Sequence, residues 1–555
     1  MIIKDQIKEI VENSLEKAIK ENKFAPLDFP EVKIEYPKEE KFGDYATALA
    51  LESARILKKS PIEIGNTLKE YIEESDLIEK VDIAKPGFIN IFLSTNILHQ
   101  TLLFILEEEE NYGRFTKNNP NKINIEFVSA NPTGPLNIVS ARAAALGDTL
   151  ANLLEACGDI VDREYYINDH GNQVYLLGKS VLYRYWESLG KSVDFPEDGY
   201  HGDYISDIAE YLKKNYKDKI ESFKDEDELI DFFAQKAVEY NIEGQKRDLE
   251  RFNVKFDIWY SERSLHKEEH VPNALGKLES CGKIYIEDGK KTFKSTEYGD
   301  DKDRVVVRDD GRPTYLLADI AYHIDKIDRG YDLLIDIWGP DHHGYIARII
   351  GAMKALGYED HRLNILIAQQ VNLIMKGEAV RMSKRLGKYS TMNELIDEIG
   401  TDVARYFFIM RSLESHLDFD LELAKRESSE NPVFYLQYAH ARICSIFREA
   451  EKRGINYNPS NSSIEFLNNP EAATLLKTIL IFPEEVIDAA NSLEPHRIAN
   501  FLLKLARVFH KFYTEHRVIS DNIDKTNTYL SICGCVRIVL KNGLGLLGVS
   551  APERM

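Results

Sequence analysis

Cysteine is scarce, with five residues in 555 (Cys157, Cys281, Cys444, Cys533, Cys535). A structural zinc site needs closely spaced pairs of soft ligands, and a disulfide framework needs dense, even spacing. Neither pattern is present and no metal site is expected; Cys533 and Cys535 lie in an apolar, helix-like run and read as packing. Long apolar runs are missing too: none approaches the roughly 18 residues of a membrane span. Met1 to Lys20 alternates charged and apolar residues at helical spacing, without the apolar centre of a signal peptide. The expectation is a cytoplasmic protein without membrane contact. Positive charge is in deficit, at a net −21. Phosphate contacts need cations, but a long chain can gather them on one face, so the deficit does not exclude a nucleic-acid partner. There is no internal repeat, no low-complexity segment and no glycine-rich phosphate fingerprint of either common type.

What is there is an ordinary globular balance, 43% apolar and 29% charged, in a chain too long for one core, since single cores stop growing at about 250–300 residues. Residues 1–112 mix helical and strand patterns, with a helix predicted over Tyr45 to Lys58 and a strand over Phe88 to Leu93 after the turn Lys85-Pro86-Gly87. From Lys122, Ile123, Ile125 and Phe127 alternate with polar residues. A loop from Ser129 to Pro135 and an apolar-faced helix from Leu136 to Ala156 follow, a strand-loop-helix unit that delivers backbone amides to a helix start. Further strands are predicted over Leu333 to Trp338 and Ile365 to Val371, and helices over Thr314 to Lys326 and Tyr345 to Leu356. Alternating strands and helices predict a parallel sheet with its ligand loops at the carboxyl ends of the strands. From about Ser428 the pattern is helical, broken by the polar loop Gly454 to Ser463, and predicts a helix bundle.

The segment Glu126-Phe-Val-Ser-Ala-Asn-Pro-Thr-Gly-Pro-Leu136, continuing through Ala141-Arg142 and Gly147-Asp148, resembles the approach to the HIGH motif of arginyl-tRNA synthetases. Blocks at Tyr166 to Gln173, Phe256 to Arg263, Asp303 to Val306, Pro313 to His323 and Trp338 to Tyr345 resemble the same family in the same order. Arg381-Met-Ser-Lys-Arg385 resembles its KMSKS loop, and Asn431 to Arg442 and Ser550 to Met555 resemble its C-terminal domain. Lys41 to Ala46 and Pro86 to Asn90 resemble the N-terminal module that the family uses on the tRNA corner. The resemblance implies an α/β fold in three parts: an α+β tRNA-contacting module (1–112), a Rossmann-like parallel-sheet catalytic domain (113–427, with an insertion near 180–300) and an all-helical anticodon-binding bundle (428–555). It implies ligation of L-arginine to tRNA(Arg) through an arginyl-adenylate, with ATP as substrate, Mg²⁺ accompanying it, tRNA bound before arginine is activated, and a monomer.

Arginine's guanidinium is best met by carboxylates that accept paired hydrogen bonds. Tyr315 and Asp319 are four apart on the predicted helix and share a face, and the resemblance puts both with Glu126 in the guanidinium pocket and Asn131 on the α-amino group. It gives Lys384 the pyrophosphate, with Arg381, Met382 and Ser383 holding the loop on the nucleotide, and it makes Tyr438, His440 and Arg442 tRNA contacts. At the HIGH position the chain departs from the family. Asn137, Val139 and Ser140 replace histidine, glycine and histidine around Ile138, so Asn137 and Ser140 become the candidate phosphate donors and Val139 the adenine neighbour. Neither donor can become cationic. Two activities fit the departure: a working ligase in which helix-end amides, Lys384, Mg²⁺ and the His342-His343 loop offset the loss, or a tRNA-binding or arginine-sensing relative without ATP chemistry.

Overall fold

The computed structural model describes residues 2–267, 269–380 and 391–555. At the N-terminus an antiparallel sheet orders Tyr45–Thr47, Phe88–Leu93 and Ile78–Ala84 with Phe88–Leu93 in the middle, packed on the helices Leu49–Leu57 and Pro61–Ile72, with Ile3–Lys20 against the latter. The helix expected over Tyr45 to Lys58 is split: Tyr45–Thr47 pairs as a strand with Ile89–Ile91, and the helix begins only at Leu49. Gly43 explains how the short strand comes so close, since a Cβ there would stand 2.7 Å from the Ile91 carbonyl oxygen. The next helix, Thr95–Glu108, leaves this module and packs against the C-terminal helices Ile523–Leu546 and Pro470–Leu480.

The central sheet is parallel throughout. Its strands are β1 (Lys122–Glu126), β2 (Ile160–Ile167), β3 (Ile258–Ser261), β4 (Leu333–Trp338) and β5 (Leu363–Ile367), in the order β5-β4-β1-β2-β3. The strand order reverses at β1, so the loops after β1, β2 and β4 open side by side at the carboxyl edge, where doubly wound sheets bind ligands. The strand expected over Ile365 to Val371 is two strands. β5 ends at Ile367, and Val371–Met375 belongs to a second sheet with Glu378–Val380 and Leu417–Asp420.

Between β1 and β2 runs α1 (Ile138–Ala156), buried on nearly every side, as a helix apolar all round must be. Gly147 lets it approach the sheet: a Cβ there would meet the Phe127 ring at 2.2 Å. Between the insertion and β4 lies α2 (Tyr315–Asp328). The insertion is a helical layer (Asn172–Ser188, Asp203–Asn215, Glu226–Arg251) and a small antiparallel sheet of Ile284–Glu287, Lys290–Phe293 and Arg304–Val307.

The C-terminal part is a helix bundle whose main helices include Pro432–Lys452, His496–Glu515 and Ile523–Leu546. Asn431 and Asn522 cap two of these helices with their side chains, satisfying amide donors that have no partner within the helix. Ile523–Leu546 has the length and apolar content of a membrane span, but most of it is buried in the bundle. Arg405 ties the bundle to α1 and to the helix Glu226–Arg251: its fully buried guanidinium donates to Asp148 Oδ2 at 2.6 Å, to the Leu547 carbonyl at 2.9 Å and to the Phe252 carbonyl at 3.1 Å.

Candidate active site

The chain turns sharply at the end of β1, with Val128 (φ 68°) and Ser129 (φ 36°) both in the left-handed region, a conformation disfavoured for a β-branched residue. The turn is held from outside. Tyr165 Oη accepts from the Ala130 amide and donates to its carbonyl, each at 3.1 Å; Asn241 donates to the Pro132 carbonyl at 2.8 Å, Gln245 to the Gly134 carbonyl at 2.9 Å and Tyr204 to the Thr133 carbonyl at 2.6 Å. So fixed, the loop leaves Asn131 and Asn137 exposed at the carboxyl edge of the sheet.

Asn137 is the N-cap of α1, with Oδ1 accepting from the Ser140 amide at 2.9 Å. Its amide nitrogen remains to donate outward, and the first amides of α1 have no intrahelical partner. Ser140 is nearly buried and Val139 half-buried. Asn137 bridges to Thr391, and the Met392 amide donates to the Leu136 carbonyl at 2.9 Å, so the chain resumes against the start of α1. The four residues assigned to the nucleotide loop, Arg381, Met382, Ser383 and Lys384, lie outside the described residues. His342 and His343 are exposed on the turn after β4, His342 edge-on to Trp338 with ring centroids 6.0 Å apart.

Beneath the loops, Glu164, Glu126 and Asp336 stand in register on β2, β1 and β4, and all three are buried. Three adjacent carboxylates demand cations, and α2 supplies them. Arg329 forks onto Glu164 at 2.7 and 2.9 Å, with Tyr322 Oη at 2.6 Å and Asn124 Nδ2 at 2.7 Å completing that site. Lys326, fully buried, donates to Glu126 Oε2 at 2.6 Å and Asp336 Oδ1 at 2.8 Å. Burial opposes its charge, but Asp336, Glu126 and Glu164 hold the ammonium above its ordinary pKa. The other Glu126 oxygen accepts from Ser129 Oγ at 2.9 Å. His323 contacts Asp336 Oδ2 through Nε2 at 2.8 Å and the Asp319 carbonyl through Nδ1 at 2.7 Å. A carbonyl and an ionised carboxylate only accept, so both ring nitrogens donate and His323 is an imidazolium.

Among the described residues, two acids nearby have no lysine or arginine partner, Glu262 having only His266 Nε2 at 3.8 Å. Asp319, one turn along α2 from Tyr315, is pushed up to about 6 by burial and by the charges of Glu126 and Asp336, against the Tyr345 phenol and His323. Glu262, just after β3, is pushed up to about 7 by burial and then by Asp319 and Asp169. Asn168, with its amide turned to donate, reaches Glu262 Oε2 at 2.9 Å. The buried Tyr345 hydroxyl is aimed at Asp319, and Tyr166 faces Glu262, Asp319 and Glu126. Tyr315 is 64% exposed, with its hydroxyl leaning towards Gly171 in the loop after β2, so it forms the rim. Two carboxylates without a lysine or arginine partner, flanked by the Tyr166 and Tyr345 phenols, suit a cation with several hydrogen-bond donors.

The fold therefore brings Glu126, Tyr315 and Asp319 to one pocket and Asn131 to its loop. Glu262, Tyr166, Tyr345, Lys326, Asp336 and His323 were not among the residues singled out from sequence. The blocks at Tyr166, Phe256 to Arg263, Pro313 to His323 and Trp338 to Tyr345 contain four of them, and an acid or phenol inside such a block was the available signal. In the helix bundle, Arg442 stacks on Tyr438 and Tyr513 at 4.6 and 4.9 Å and donates to Tyr438 Oη at 2.6 Å. These residues line an open cavity of about 820 Å³ together with Arg448, Arg517 and Arg554. His440 is not on that surface: it is 3% exposed, with Nδ1 2.9 Å from the Pro552 carbonyl.

Three family models match the chain: "Arginyl tRNA synthetase N terminal domain" over residues 5–93, "tRNA synthetases class I (R), catalytic domain" over 101–409 and "DALR anticodon binding domain" over 436–555. The arginine–tRNA ligase of Leptospira interrogans is 49% identical, over 99% of both chains, and that of Bacillus subtilis 45% identical over the whole of both. Among solved structures, the arginyl-tRNA synthetase of Thermus thermophilus superposes with a TM-score of 0.78 at 20% identity, covering 99% of this chain and 100% of that one. A putative arginyl-tRNA synthetase of Campylobacter jejuni superposes with a TM-score of 0.76 at 37% identity, covering 83% of this chain and 100% of that one.

Proposed function

The chain belongs to the arginyl-tRNA synthetase family, and on that premise we propose that it ligates L-arginine to tRNA(Arg) through an arginyl-adenylate, releasing AMP and pyrophosphate. The observation that carries the reading is the pair of uncompensated carboxylates, Asp319 and Glu262, in one phenol-lined pocket at the carboxyl edge of the parallel sheet. A guanidinium delivers one positive charge and five donors in a plane, which supplies the missing cation. Asp319 and Glu262 carry the charge, Glu126 offers a further acceptor already neutralised by Lys326, and Tyr315 closes the rim. Asn131 takes the α-amino group, which leaves the substrate carboxylate directed towards the start of α1.

There the carboxylate oxygen attacks the α-phosphorus of ATP and pyrophosphate leaves. The negative charge that spreads over the phosphate oxygens is met by the Asn137 amide, the free amides of α1 and the Ser140 hydroxyl, with Val139 beside the adenine. Lys384 grips the leaving pyrophosphate, and Arg381, Met382 and Ser383 hold the nucleotide. Mg²⁺ accompanying ATP neutralises the phosphates. A terminal ribose hydroxyl of tRNA then attacks the arginyl carbonyl and AMP leaves. Tyr438 and Arg442 offer stacking and charge to tRNA bases; buried His440 holds the C-terminal tail beneath them. No observation favours the reading in which ATP chemistry is lost.

The test is aminoacylation by the purified chain with arginine, ATP, Mg²⁺ and tRNA(Arg). Charged tRNA should form with stoichiometric AMP, whereas tRNA binding by a folded sample without charging would sink the reading. A second expectation follows from charge. Asp319 and Glu262 have raised pKa values in the folded chain, so between about pH 4 and 7 these two groups bind more protons folded than unfolded and their contribution to stability falls as pH rises. Arginine supplies the missing cation, so saturating arginine should raise Tm more at pH 8 than at pH 5.5. An equal shift at both pH values, read by differential scanning fluorimetry, would remove the carboxylate pair from the binding site.

A further inference from the structure

The base of the pocket carries a cation of its own. Lys326 spends two donors on Glu126 and Asp336 and sets its ammonium 4.5 Å from the centre of the Tyr322 ring, so it is saturated and held in place. Asp336, its anchor, is held in turn by the His323 imidazolium, which also grips the backbone carbonyl of Asp319. One unbroken chain of hydrogen bonds thus runs from the Glu126 carboxylate to the backbone of Asp319. The charges within it cancel: Glu126 and Asp336 against Lys326 and His323.

We propose that Lys326 is a positioning and specificity-setting residue for arginine: its buried ammonium fixes the Glu126 carboxylate and cancels the charge beneath the pocket, so that only Asp319 and Glu262 await the substrate's cation. This inference rests on the ligase reading above. Remove the ammonium, and Glu126 joins the uncompensated acids in a buried space. With His323 still on Asp336, one guanidinium cannot offset the three remaining carboxylates, so the pocket takes up protons in place of substrate. The groups that set this balance come from every element around it: Glu126 on β1, Glu164 and Tyr166 on β2, Glu262 after β3, Asp336 on β4, Tyr345 after it, and Asp319, Tyr322, His323 and Arg329 on α2.

The experiment compares steady-state charging by the unmodified chain and by Lys326→Met, which matches the side chain's length without its charge. Charging by the unmodified chain is measured first, and its absence overturns the function on which the inference rests. The variant should raise KM for arginine at least tenfold and leave KM for ATP and tRNA within twofold. It should also move the acid limb of kcat/KM for arginine upward by about one pH unit, because a nearby cation no longer favours the ionised acids. A purely structural role would lower the active fraction without moving that limb or separating the three KM values. If Lys326→Met does not fold, the same two readouts in Lys326→Gln, which also removes the charge but keeps a donor for Glu126 or Asp336, decide the matter. An arginine KM within twofold and an unmoved acid limb in the folded variant overturn the proposal.

Discussion

Asp319→Asn is expected to lower kcat/KM for arginine by about a thousandfold, chiefly through KM, while the empty protein becomes more stable. Both effects have one cause. Asp319 is a half-buried carboxylate whose neighbours Glu126 and Asp336 are also acids, so its ionised form is costly until a cation arrives. The amide has nearly the same shape and no charge, which relieves that cost in the empty pocket. In the complex it leaves the guanidinium without one partner and can turn an N–H towards an N–H. Removing one member of a buried ion pair costs about 3–5 kcal/mol, roughly 10² to 10³·⁵ in affinity. The rise in Tm caused by arginine should disappear with it. Steady-state charging and thermal unfolding test the two halves separately. Unchanged arginine affinity and rate would take Asp319 out of the pocket.

That pairing of residues shows what a single sequence reveals and what it hides. Phe88–Leu93 and Leu333–Trp338 are strands over the residues that their pattern predicts, because a short apolar run between turn signals has one simple solution. Tyr45–Thr47 is a strand where a helix was expected, since the apolar residues that follow extend a helical pattern backwards over it. Only the Phe88–Leu93 partner and the close approach at Gly43 reveal the strand. Tyr315 and Asp319 could be paired from spacing because both lie on one helix. Glu262 could not, because its relation to Asp319 passes through the order in which β3, β2, β1 and β4 lie in the sheet. Lys326 is hidden more deeply: on the helix it looks like a solvent-facing lysine, and its burial follows only once Glu126 and Asp336 are seen in register on neighbouring strands.

The replaced signature at Asn137 to Ser140 gives the second large effect. Asn137→Asp should lower kcat for charging by about 10²–10³-fold while leaving the fold as stable or slightly more so. The side chain has two separable jobs. Its oxygen caps α1 through the Ser140 amide at 2.9 Å, and aspartate does this equally well, with a charge that suits a helix N-terminus. Its amide nitrogen is the donor proposed for the phosphate, and aspartate puts a negative oxygen there instead. Loss of one preorganised transition-state donor costs about 2.7–4 kcal/mol, and repulsion from the phosphate adds to it. Asn137→Ala separates the jobs from the other side, losing about 1 kcal/mol of capping along with the donor. Asn137→His restores the family's residue and should charge within tenfold of the unmodified chain. The bridge from Asn137 to Thr391 ties this position to the start of the helix Met392–Ile399. Rapid-quench measurement of adenylate formation under saturating arginine and ATP isolates the phosphate step from substrate binding. If Asn137→Asp forms adenylate at the unmodified rate, the side chain does not face the phosphate, and the burden passes to the helix-end amides and Lys384.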